Sequence, residues 1–370
     1  MRKIAITANT SWYIYNFRRS TIQAFIGLGC EVVCLSPLDD YTEKLVGLGC
    51  SWHPLRVKGK SVNPVDDIFM MAQLFYLFAR FRPDYCFNFT VKNNIYGVWV
   101  ARVFGVRVIN NITGLGTSFI HNNLTSLVVK ILYKVSQKYA DTVFCQNPDD
   151  YNMLLELGLV PKEKLRLLPG SGVNLKMFTP RERRRVGQFC FLYVGRMLKD
   201  KGLFELVEAF VRIDQNSLPC VLKLCGFVGA MNVSAISEDA VKKWAENPNI
   251  IWMGVNDDMP SVYAEADCVV LPSYREGMPR SLLEAGAMGL PSITTDVPGC
   301  RNIISDGYNG YICNVRDVGS LQAAMINVLG LSDEELLNMS RNARAHVVEN
   351  FDENIVVQEA VFAVERGKVF

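Results

Sequence analysis

Short apolar runs alternate with longer stretches whose apolar residues recur every three or four positions through the first half of the chain. The short runs predict buried strands, and the longer periodic stretches predict amphipathic helices. The predicted strands are residues 3–8, 31–35, 85–89, 106–110 and 142–145, and the predicted helices are residues 16–29, 40–48, 64–81, 94–104 and 118–139. Near-continuous apolar strands separated by helices are typical of a parallel sheet covered on both faces.

A polar segment interrupts this alternation after Gly172 and ends in a charged run at residues 181–185. Such a segment is typical of a linker. The alternation then resumes. The predicted strands are residues 188–194, 220–225, 249–252, 267–271 and 292–295, and the predicted helices are residues 200–213, 235–246, 257–264, 280–288, 317–328, 333–347 and 351–367.

The chain of 370 residues is too long for one ordinary core. We therefore expect an α/β protein with two Rossmann-like domains, residues 1–172 and 188–350, joined by a linker at 173–187. A last helix, within 351–370, is expected to pack back on the first domain. The two parallel sheets should face a central cleft, and ligands of such sheets bind at the carboxyl ends of strands.

Cysteine usage and apolar length bear on the location of the protein. The eleven cysteines include no C-x-x-C pair and no histidine at metal-ligand spacing, which favours reduced, buried thiols in the cytosol. The longest apolar stretch, residues 68–79, is shorter than the roughly 20 residues of a membrane-spanning helix. Any membrane contact is therefore expected to be peripheral.

The net charge of +2 hides a strong asymmetry. Residues 1–186 hold 24 basic and 13 acidic side chains, a charge of +11, whereas the remainder holds 15 basic and 24 acidic ones, a charge of −9. A basic half favours an anionic partner such as lipid, a diphosphate or nucleic acid. The alternative is a solvated surface without a special role. No nucleic-acid-binding module is recognised, so nucleic acid is not expected as a partner.

One candidate site feature is a pair of cations after the predicted strand 188–194. Gly195 and Arg196 follow that strand, and Lys201 precedes Gly202 where a helix begins. A strand-to-helix turn presents backbone N–H groups and the positive helix end, so two fixed cations there suit a diphosphate. The alternative is two surface cations in a loop.

A second feature is a pair of acids around the predicted start of another helix. Glu276 lies in the loop after strand 267–271, and Glu284 lies inside the helix that begins near Pro279. Gly277 allows the backbone to approach a ligand closely, and free N–H groups of the first helical turn can face an anion. Carboxylates at this position can accept hydrogen bonds from ligand hydroxyls. The alternative is a helix-dipole acid with a separate surface glutamate.

These motifs resemble those of the family-4 retaining glycosyltransferases of GT-B fold. Glu276 and Glu284, seven residues apart in the context Glu-Gly-Met-Pro-Arg-Ser-Leu-Leu-Glu-Ala, look like the E-x7-E motif of that family. The turn from Gly195 to Gly202 and the segment 291–314 match two further signatures. The resemblance implies a metal-independent hexosyltransferase that retains the anomeric configuration of the donor sugar.

The resemblance also implies a role for each motif residue. Arg196 and Lys201 would hold the donor diphosphate beside Gly195, and Glu284 would bind the ribose hydroxyls. Glu276 would contact the donor sugar, with the backbone of Gly277, Met278 and Pro279 beside it. The catalytic residues would be Glu276, Arg196 and Lys201. Because no D-x-D motif occurs and cations can hold the diphosphate, neither a metal nor another cofactor is expected.

The first half resembles a narrower group, bacterial enzymes that extend undecaprenyl-diphosphate-linked sugars, N-acetylgalactosaminyltransferases among them. The resemblance is carried by Tyr15-Asn16-Phe17-Arg18, Asp40–Leu45, Lys92–Gly97 and Asn110–Gly116. It implies that this half binds a polyprenyl-diphosphate-linked glycan and that the second half binds a UDP-sugar. The candidate acceptor-binding residues are Asn16, Arg18, Lys92, Thr113, Gly114 and Gly116.

Contact with an anionic membrane is a further expectation for the first half. Lys130, Lys134 and Lys138 recur every four residues within the predicted helix 118–139, which puts them on one face. Residues 69–81 are rich in aromatic side chains that suit a membrane interface, although a helix packed on the sheet explains them equally well. We expect a cytoplasmic enzyme, peripheral on the inner face of the cytoplasmic membrane.

Two other functions fit the same sequence. One is a sugar-nucleotide epimerase or phosphorylase of the same fold, and the other is a non-catalytic nucleotide-sugar-binding subunit. The donor is expected to be a UDP-linked N-acetylhexosamine by resemblance alone.

Overall fold

The computed structural model describes residues 1–59, 63–115, 124–180, 187–214, 219–229 and 232–365. The chain divides into two compact units. Unit 1 comprises Met1–Ser171 and Glu353–Phe370, and unit 2 comprises Gly172–Asp352. Each unit contains a parallel sheet with helices against it, so the predicted pair of Rossmann-like α/β domains is confirmed.

Unit 1 is built on a seven-stranded parallel sheet. Its strands are β1 (Lys3–Thr7), β2 (Glu31–Ser36), β3 (Ser51–Pro54), β4 (Tyr85–Phe89), β5 (Arg107–Ile112), β6 (Thr142–Cys145) and β7 (Leu165–Leu167), in the spatial order β3-β2-β1-β4-β5-β6-β7. The edge strands β3 and β7 were not predicted, because both are short and partly exposed and so lack a continuous apolar run. The strand order reverses direction between β1 and β4.

The helices of this unit before residue 171 are α1 (Ser11–Gly27), α2 (Thr42–Val46), α3 (Pro64–Phe81), α4 (Val98–Val103), α5 (Leu124–Ser136) and α6 (Pro148–Glu156). The predicted helix 94–104 begins as a π-helical turn, Asn93–Gly97, before it becomes α4. The predicted helix 118–139 is described only from Leu124, and it ends in a 3-10 turn, Gln137–Tyr139.

Local sequence signals explain where these helices begin. The side chain of Thr10 accepts a hydrogen bond from the backbone N–H of Tyr13 and caps α1. Helix α3 starts with an Asn63 cap and with Pro64 in its first turn, followed by Asp66 and Asp67. Proline and acidic residues favour a helix N-terminus because no N–H is lost and the helix dipole is complemented.

Unit 2 is built on a six-stranded parallel sheet. Its strands are β8 (Phe189–Val194), β9 (Cys220–Cys225), β10 (Ile250–Gly254), β11 (Cys268–Leu271), β12 (Ser292–Thr295) and β13 (Gly310–Cys313), in the order β10-β9-β8-β11-β12-β13. The helices are α7 (Leu203–Asp214), α8 (Glu238–Trp244), α9 (Met259–Ala264), α10 (Arg280–Ala287), α11 (Val318–Leu329) and α12 (Asp333–Asn350). The order makes β8 and β11 neighbours, which brings the loops that follow them to the same sheet edge.

The segments around the unit boundary are packed. Val173 and Phe178, which lie in the expected linker 173–187, are buried in the core of unit 2. The last helix, α13 (Glu353–Glu365), is grouped with unit 1, where it packs on α1. There Ser20 Oγ donates a hydrogen bond to Glu353 Oε1 at 2.8 Å. The buried apolar residues of the expected linker and of α13 therefore determine the unit to which each segment belongs.

Helices cover both faces of the sheet in unit 1. Buried residues of α3, the π-helical turn, α4 and α5 form one core cluster with one side of the sheet. Residues of α1 and α13 form a second cluster with the other side. Helices α3 and α5 therefore share a face, and both contact the π-helical turn.

Candidate functional site

The two motifs with predicted chemistry lie side by side in unit 2. Gly195 and Arg196 follow β8, and Glu276 lies in the loop after β11. These two strands are parallel neighbours, so both loops leave the same edge of the sheet. The structure thus brings Lys201 to Glu276, although the two residues are 75 positions apart in the sequence.

Lys201 and Glu276 are in direct contact. Lys201 Nζ donates a hydrogen bond to Glu276 Oε1, and Ser273 Oγ donates to the same oxygen at 2.6 Å. The two charged side chains are only 18% and 12% exposed. Charge-assisted hydrogen bonds of this kind are stronger than neutral ones and fix the orientation of both groups. The pair forms a preorganised cation–carboxylate centre.

Backbone contacts hold the Lys201 turn against the Glu276 loop. Lys201 closes a 3-10 turn, and Gly202 follows with φ = 70°. A Cβ atom on Gly202 would lie 2.1 Å from Pro272 O, a separation that no other residue tolerates. The backbone N–H of Tyr274 donates to Asp200 O at 2.9 Å and ties the two segments a second time.

The Arg196 turn is held from inside the core. Tyr193 OH donates a hydrogen bond to Arg196 O at 2.8 Å. Burial raises the pKa of the Tyr193 phenol well above its ordinary value, so the hydroxyl remains a donor. The Arg196 side chain is exposed, and its guanidinium forms no ion pair with a described residue. It is available to an anionic ligand at this sheet edge.

Glu284 lies on α10 with both carboxylate oxygens engaged. Arg280 Nε is 2.8 Å from Oε1, and Tyr263 OH is 3.0 Å from Oε2. Burial raises the pKa of Glu284, whereas the Arg280 charge and the hydrogen bonds from Tyr263 and Arg280 lower it in part. Each oxygen still has lone pairs that can accept a hydrogen bond from a ligand hydroxyl.

A second loop supports the backbone beside Glu276. Gly299 has φ = 81°, and a Cβ atom there would lie 2.6 Å from Gly277 O. Met278 packs partly on the core of the unit, and Pro279 stands immediately before the first residue of α10. The segment from Gly277 to Pro279 is therefore clamped between the core and the Gly299 loop.

The candidate acceptor residues lie in unit 1 and differ in their surroundings. Asn16 and Arg18 are on α1, where Asn16 Nδ2 donates to Trp12 O at 2.9 Å and Arg18 is buried. Lys92 is paired with Asp67 at 2.6 Å, so its charge is already neutralised. Thr113 and Gly114 follow β5. Gly116 lies outside the described residues.

Several residues that shape the site were not singled out from the sequence. They are Ser273, Tyr263, Arg280, Tyr193 and Tyr274. The spacing of Arg280 and Glu284 by four residues on one helix was a usable signal for their ion pair. Tyr263 is on α9, 21 residues before Glu284, and only the packing of α9 on the unit core reveals its role.

Metal-ligand groups were also sought in the structure. Over the described ranges, no group of three or more His, Cys, Asp or Glu side chains is arranged to hold a metal ion.

Two family models match the chain. The model "Glycosyl transferase 4-like" matches residues 3–147, and the model "Glycosyl transferases group 1" matches residues 178–346. The two parallel sheets and these two matches identify the chain as a glycosyltransferase of GT-B fold. Its first half is similar to the 4-like type and its second half to group 1.

Curated relatives match over most of their length. The chain is 27% identical to the N,N'-diacetylbacillosaminyl-diphospho-undecaprenol alpha-1,3-N-acetylgalactosaminyltransferase of Campylobacter jejuni, over 98% of both chains. It is 24% identical to the capsular polysaccharide biosynthesis glycosyltransferase CapM of Staphylococcus aureus, over 79% of both.

Solved structures share the fold at low sequence identity. A sucrose-phosphate synthase of Thermosynechococcus elongatus superposes with a TM-score of 0.82 at 18% identity, with 99% of both chains covered. Anabaena HepE in complex with UDP and glucose gives 0.80 at 14% identity, covering 99% of this chain and 100% of that one. A glycosyltransferase of Rickettsia africae gives 0.79 at 16% identity, covering 100% and 99%.

The Gly202 contact predicts a specific loss of ligand binding. Gly202→Ala will push the Lys201 turn away from Pro272. If Lys201 binds the diphosphate of UDP, as the resemblance implies, the UDP affinity will fall about tenfold or more, because a charge-assisted hydrogen bond to the ligand is lost. Gly307→Ala is the matched control: Gly307 has the same φ of 70°, but a Cβ there meets nothing within 4 Å. Both variants lose stability from backbone strain, so titration calorimetry with UDP separates them. Equal UDP affinities would contradict the prediction.

The environment of Glu284 predicts a pH dependence of UDP binding. Because its pKa is raised, Glu284 gains a proton on acidification before an ordinary glutamate does. If Glu284 binds the ribose hydroxyls, as the resemblance implies, UDP affinity falls with this protonation. Arg280→Gln removes a charge that lowers this pKa and will move the loss of affinity to higher pH. The folded state binds this proton more readily than the unfolded state, so this group adds stability as pH falls.

Binding isotherms at several pH values test the assignment. Glu284→Gln lacks the titrating carboxyl and should keep only the pH dependence that UDP itself contributes. An unchanged pH profile in this variant would show that Glu284 is not the responsible group.

Proposed function

We propose that the protein is a retaining glycosyltransferase that moves a sugar from a UDP-sugar to a polyprenyl-diphosphate-linked glycan. The observation that carries the proposal is the Lys201–Glu276 contact at the carboxyl edge of unit 2. A cation for a phosphate and a carboxylate for sugar hydroxyls lie there within one hydrogen bond of each other. A diphosphate-linked sugar presents phosphate oxygens and sugar hydroxyls in one molecule.

Each candidate residue at the carboxyl edge of unit 2 binds one part of the UDP-sugar. Arg196 and Lys201 bind the diphosphate, and Gly195 lets it approach the backbone. Glu284 binds the ribose hydroxyls. Glu276 binds the sugar hydroxyls, together with the clamped backbone from Gly277 to Pro279. Negative charge grows on the departing UDP in the transition state, and fixed cations stabilise it without a metal ion.

The substrates are proposed from the relatives. The Campylobacter enzyme, which matches nearly the whole chain, is named for transfer of N-acetylgalactosamine to a diphospho-undecaprenol-linked sugar. CapM is named for capsular polysaccharide biosynthesis. We therefore propose an N-acetylhexosamine such as N-acetylgalactosamine as the donor sugar, and assembly of a bacterial surface polysaccharide or glycoprotein glycan as the process.

A donor screen against a short polyprenyl-diphosphate-linked sugar tests the function. Released UDP is measured together with the glycosylated lipid, and the anomeric configuration of the new linkage is read by NMR. Activity should persist in EDTA. Interconversion of the sugar nucleotide without transfer would indicate an epimerase. Donor binding without turnover for every donor and acceptor would indicate a non-catalytic subunit.

The catalytic role of the ion pair predicts large effects on turnover. Lys201→Met and Glu276→Gln should each lower kcat/KM about 100-fold or more, as the loss of a preorganised charge at a transition state does. Lys199→Met is the matched control, because Lys199 is an exposed lysine of the same 3-10 turn. Its kcat/KM should stay within about twofold of the parent. Similar losses in Lys199→Met and Lys201→Met would show that the turn acts only through its overall charge.

We further propose that unit 1 docks on the anionic inner face of the cytoplasmic membrane. No helix in the described ranges is both long and apolar enough to cross a bilayer. Helices α3 and α5, however, share one face of the sheet and carry large exposed apolar residues: Val65, Ile68, Phe69, Phe75, Tyr76, Leu127, Val128, Ile131 and Val135. We call these residues, with Lys130, Lys134 and Lys138, the α3–α5 surface.

The sequence left two interpretations of α3, a helix packed on the sheet and a helix at a membrane interface. Each applies to one side of the helix. Met70, Leu74 and Phe78 are buried against the sheet, whereas Phe69 and Tyr76 are 50% and 62% exposed. Exposed apolar residues beside lysines are typical of a helix that lies in a membrane interface. The positive charge of the first half of the chain favours an anionic lipid surface.

Vesicle binding tests the α3–α5 surface. The protein should sediment with anionic vesicles at low salt, and K130Q/K134Q/K138Q should weaken binding about 100-fold, since each lysine near the surface contributes about 1 kcal/mol. K176Q/K199Q/K243Q removes the same charge from exposed sites in unit 2 and should bind like the parent. Equal binding by the two triple variants would exclude this surface.

A further inference from the structure

Arg18 carries a buried charge that no acidic side chain balances within the described part of the chain. It lies in α1 and is only 2% exposed. Its guanidinium carbon is 4.4 Å from the centroid of the Phe89 ring and 6.0 Å from that of Tyr13. Nη2 donates one long hydrogen bond, 3.3 Å, to Tyr13 OH, and Nε has no partner in the described part of the chain.

This arrangement is costly for the protein alone. A guanidinium has five N–H donors, and a buried cation without a carboxylate loses hydration that contacts with aromatic rings restore only in part. Buried polar groups left without partners are rare and call for an explanation. A bound anion would satisfy both the charge and the unused donors of Arg18.

The position of Arg18 suits a ligand. Phe89 is the last residue of β4, which pairs with β1, and the strand order of unit 1 reverses between these two strands. In open α/β sheets, ligands bind outside the carboxyl ends of strands at this reversal. The guanidinium of Arg18 therefore lies where the fold itself forms a binding crevice.

The backbone that follows Phe89 is strained at the same point. Thr90 has φ = 71°, which is unfavourable for a β-branched residue, and the π-helical turn starts three residues later. Asn93 Nδ2 holds this conformation through Phe89 O at 3.0 Å and Thr90 Oγ1 at 3.1 Å. Asn93 Oδ1 is buried without a partner among the described residues. Strained backbone and π-helical turns concentrate at functional sites.

Lys92, the other candidate cation at this strand end, is already occupied. Its Nζ is 2.6 Å from Asp67 Oδ1, and Tyr96 OH donates to Asp67 Oδ2 at 2.7 Å. Lys92 therefore has a carboxylate partner, whereas Arg18 pairs with no acidic side chain of the described residues.

We propose that Arg18 binds a phosphate of the acceptor's diphosphate, and that Lys92 instead fixes the π-helical turn through Asp67. The inference rests on the proposed function, which supplies a diphosphate-linked acceptor to unit 1. A planar guanidinium binds two phosphate oxygens at once, and a site next to aromatic rings strengthens the interaction by excluding water.

Binding of a short, water-soluble isoprenyl diphosphate tests this assignment, with UDP at saturation so that the donor cations are occupied. Arg18→Met keeps the packing of the side-chain stem and removes the charge. It should weaken diphosphate binding about tenfold or more and raise the acceptor KM correspondingly, while the UDP affinity stays unchanged. Arg18→Lys should lie between parent and Met variant, and Lys92→Met should bind the diphosphate within about twofold of the parent.

Stability supplies a second readout. Because the unpaired charge is removed, Arg18→Met without ligand should resist urea at least as well as the parent. Unchanged diphosphate binding in both Arg18 variants would overturn the proposal, and a less stable Met variant with normal binding would make Arg18 a packing residue only. Binding that depends on Arg18 without sugar transfer from any donor would refute the proposed function and leave this inference standing.

Discussion

The candidate site depends on one contact, the ion pair of Lys201 and Glu276. It exists because β8 and β11 are neighbours in the sheet, so the loops after them meet although they are far apart in sequence. The close approach of Gly202 to Pro272 brings the lysine within reach. A side chain at position 202 would push the two loops apart by about the width of a methyl group. The hydrogen bond from Lys201 to Glu276 does not tolerate a displacement of that size.

Ion pairs also organise the rest of the carboxyl edge of the sheet in unit 2. Each of the two motif acids is paired with its own cation, Glu276 with Lys201 and Glu284 with Arg280. Burial raises the pKa of Glu284, and the Arg280 charge offsets part of this rise. Arg196 forms no ion pair with a described residue, and Lys201 keeps N–H donors beyond its bond to Glu276, so both cations suit the phosphates of the proposed donor.

The candidate cations of unit 1 differ from one another in their surroundings. Lys92 has a carboxylate partner, whereas the described contacts of Arg18 are aromatic rings and a phenol hydroxyl. A paired cation such as Lys92 supports the structure, and a buried cation without a described carboxylate partner, such as Arg18, suits an anion. Lys134 and Lys138 of the α3–α5 surface are exposed to solvent instead.

The amino-acid sequence by itself determined the secondary structure of the buried strands, the two α/β units and the motifs of the proposed donor site. Apolar periodicity indicates which positions are buried, and Gly, Pro and acidic residues indicate local turns and helix starts. It did not reveal the edge strands β3, β7 and β13, whose partial exposure interrupts that periodicity.

Only the tertiary structure determined which side chains contact each charged group. Lys92 and Arg18 are both cations in the sequence, yet one is neutralised by Asp67 from α3 and the other lies against Phe89. Tyr263 reaches Glu284 from another helix in the same way. Strand order and helix packing set these neighbours over long sequence separations. The chain therefore specifies its chemical groups locally, and only the assembled sheets determine which of their charges remain available to a substrate.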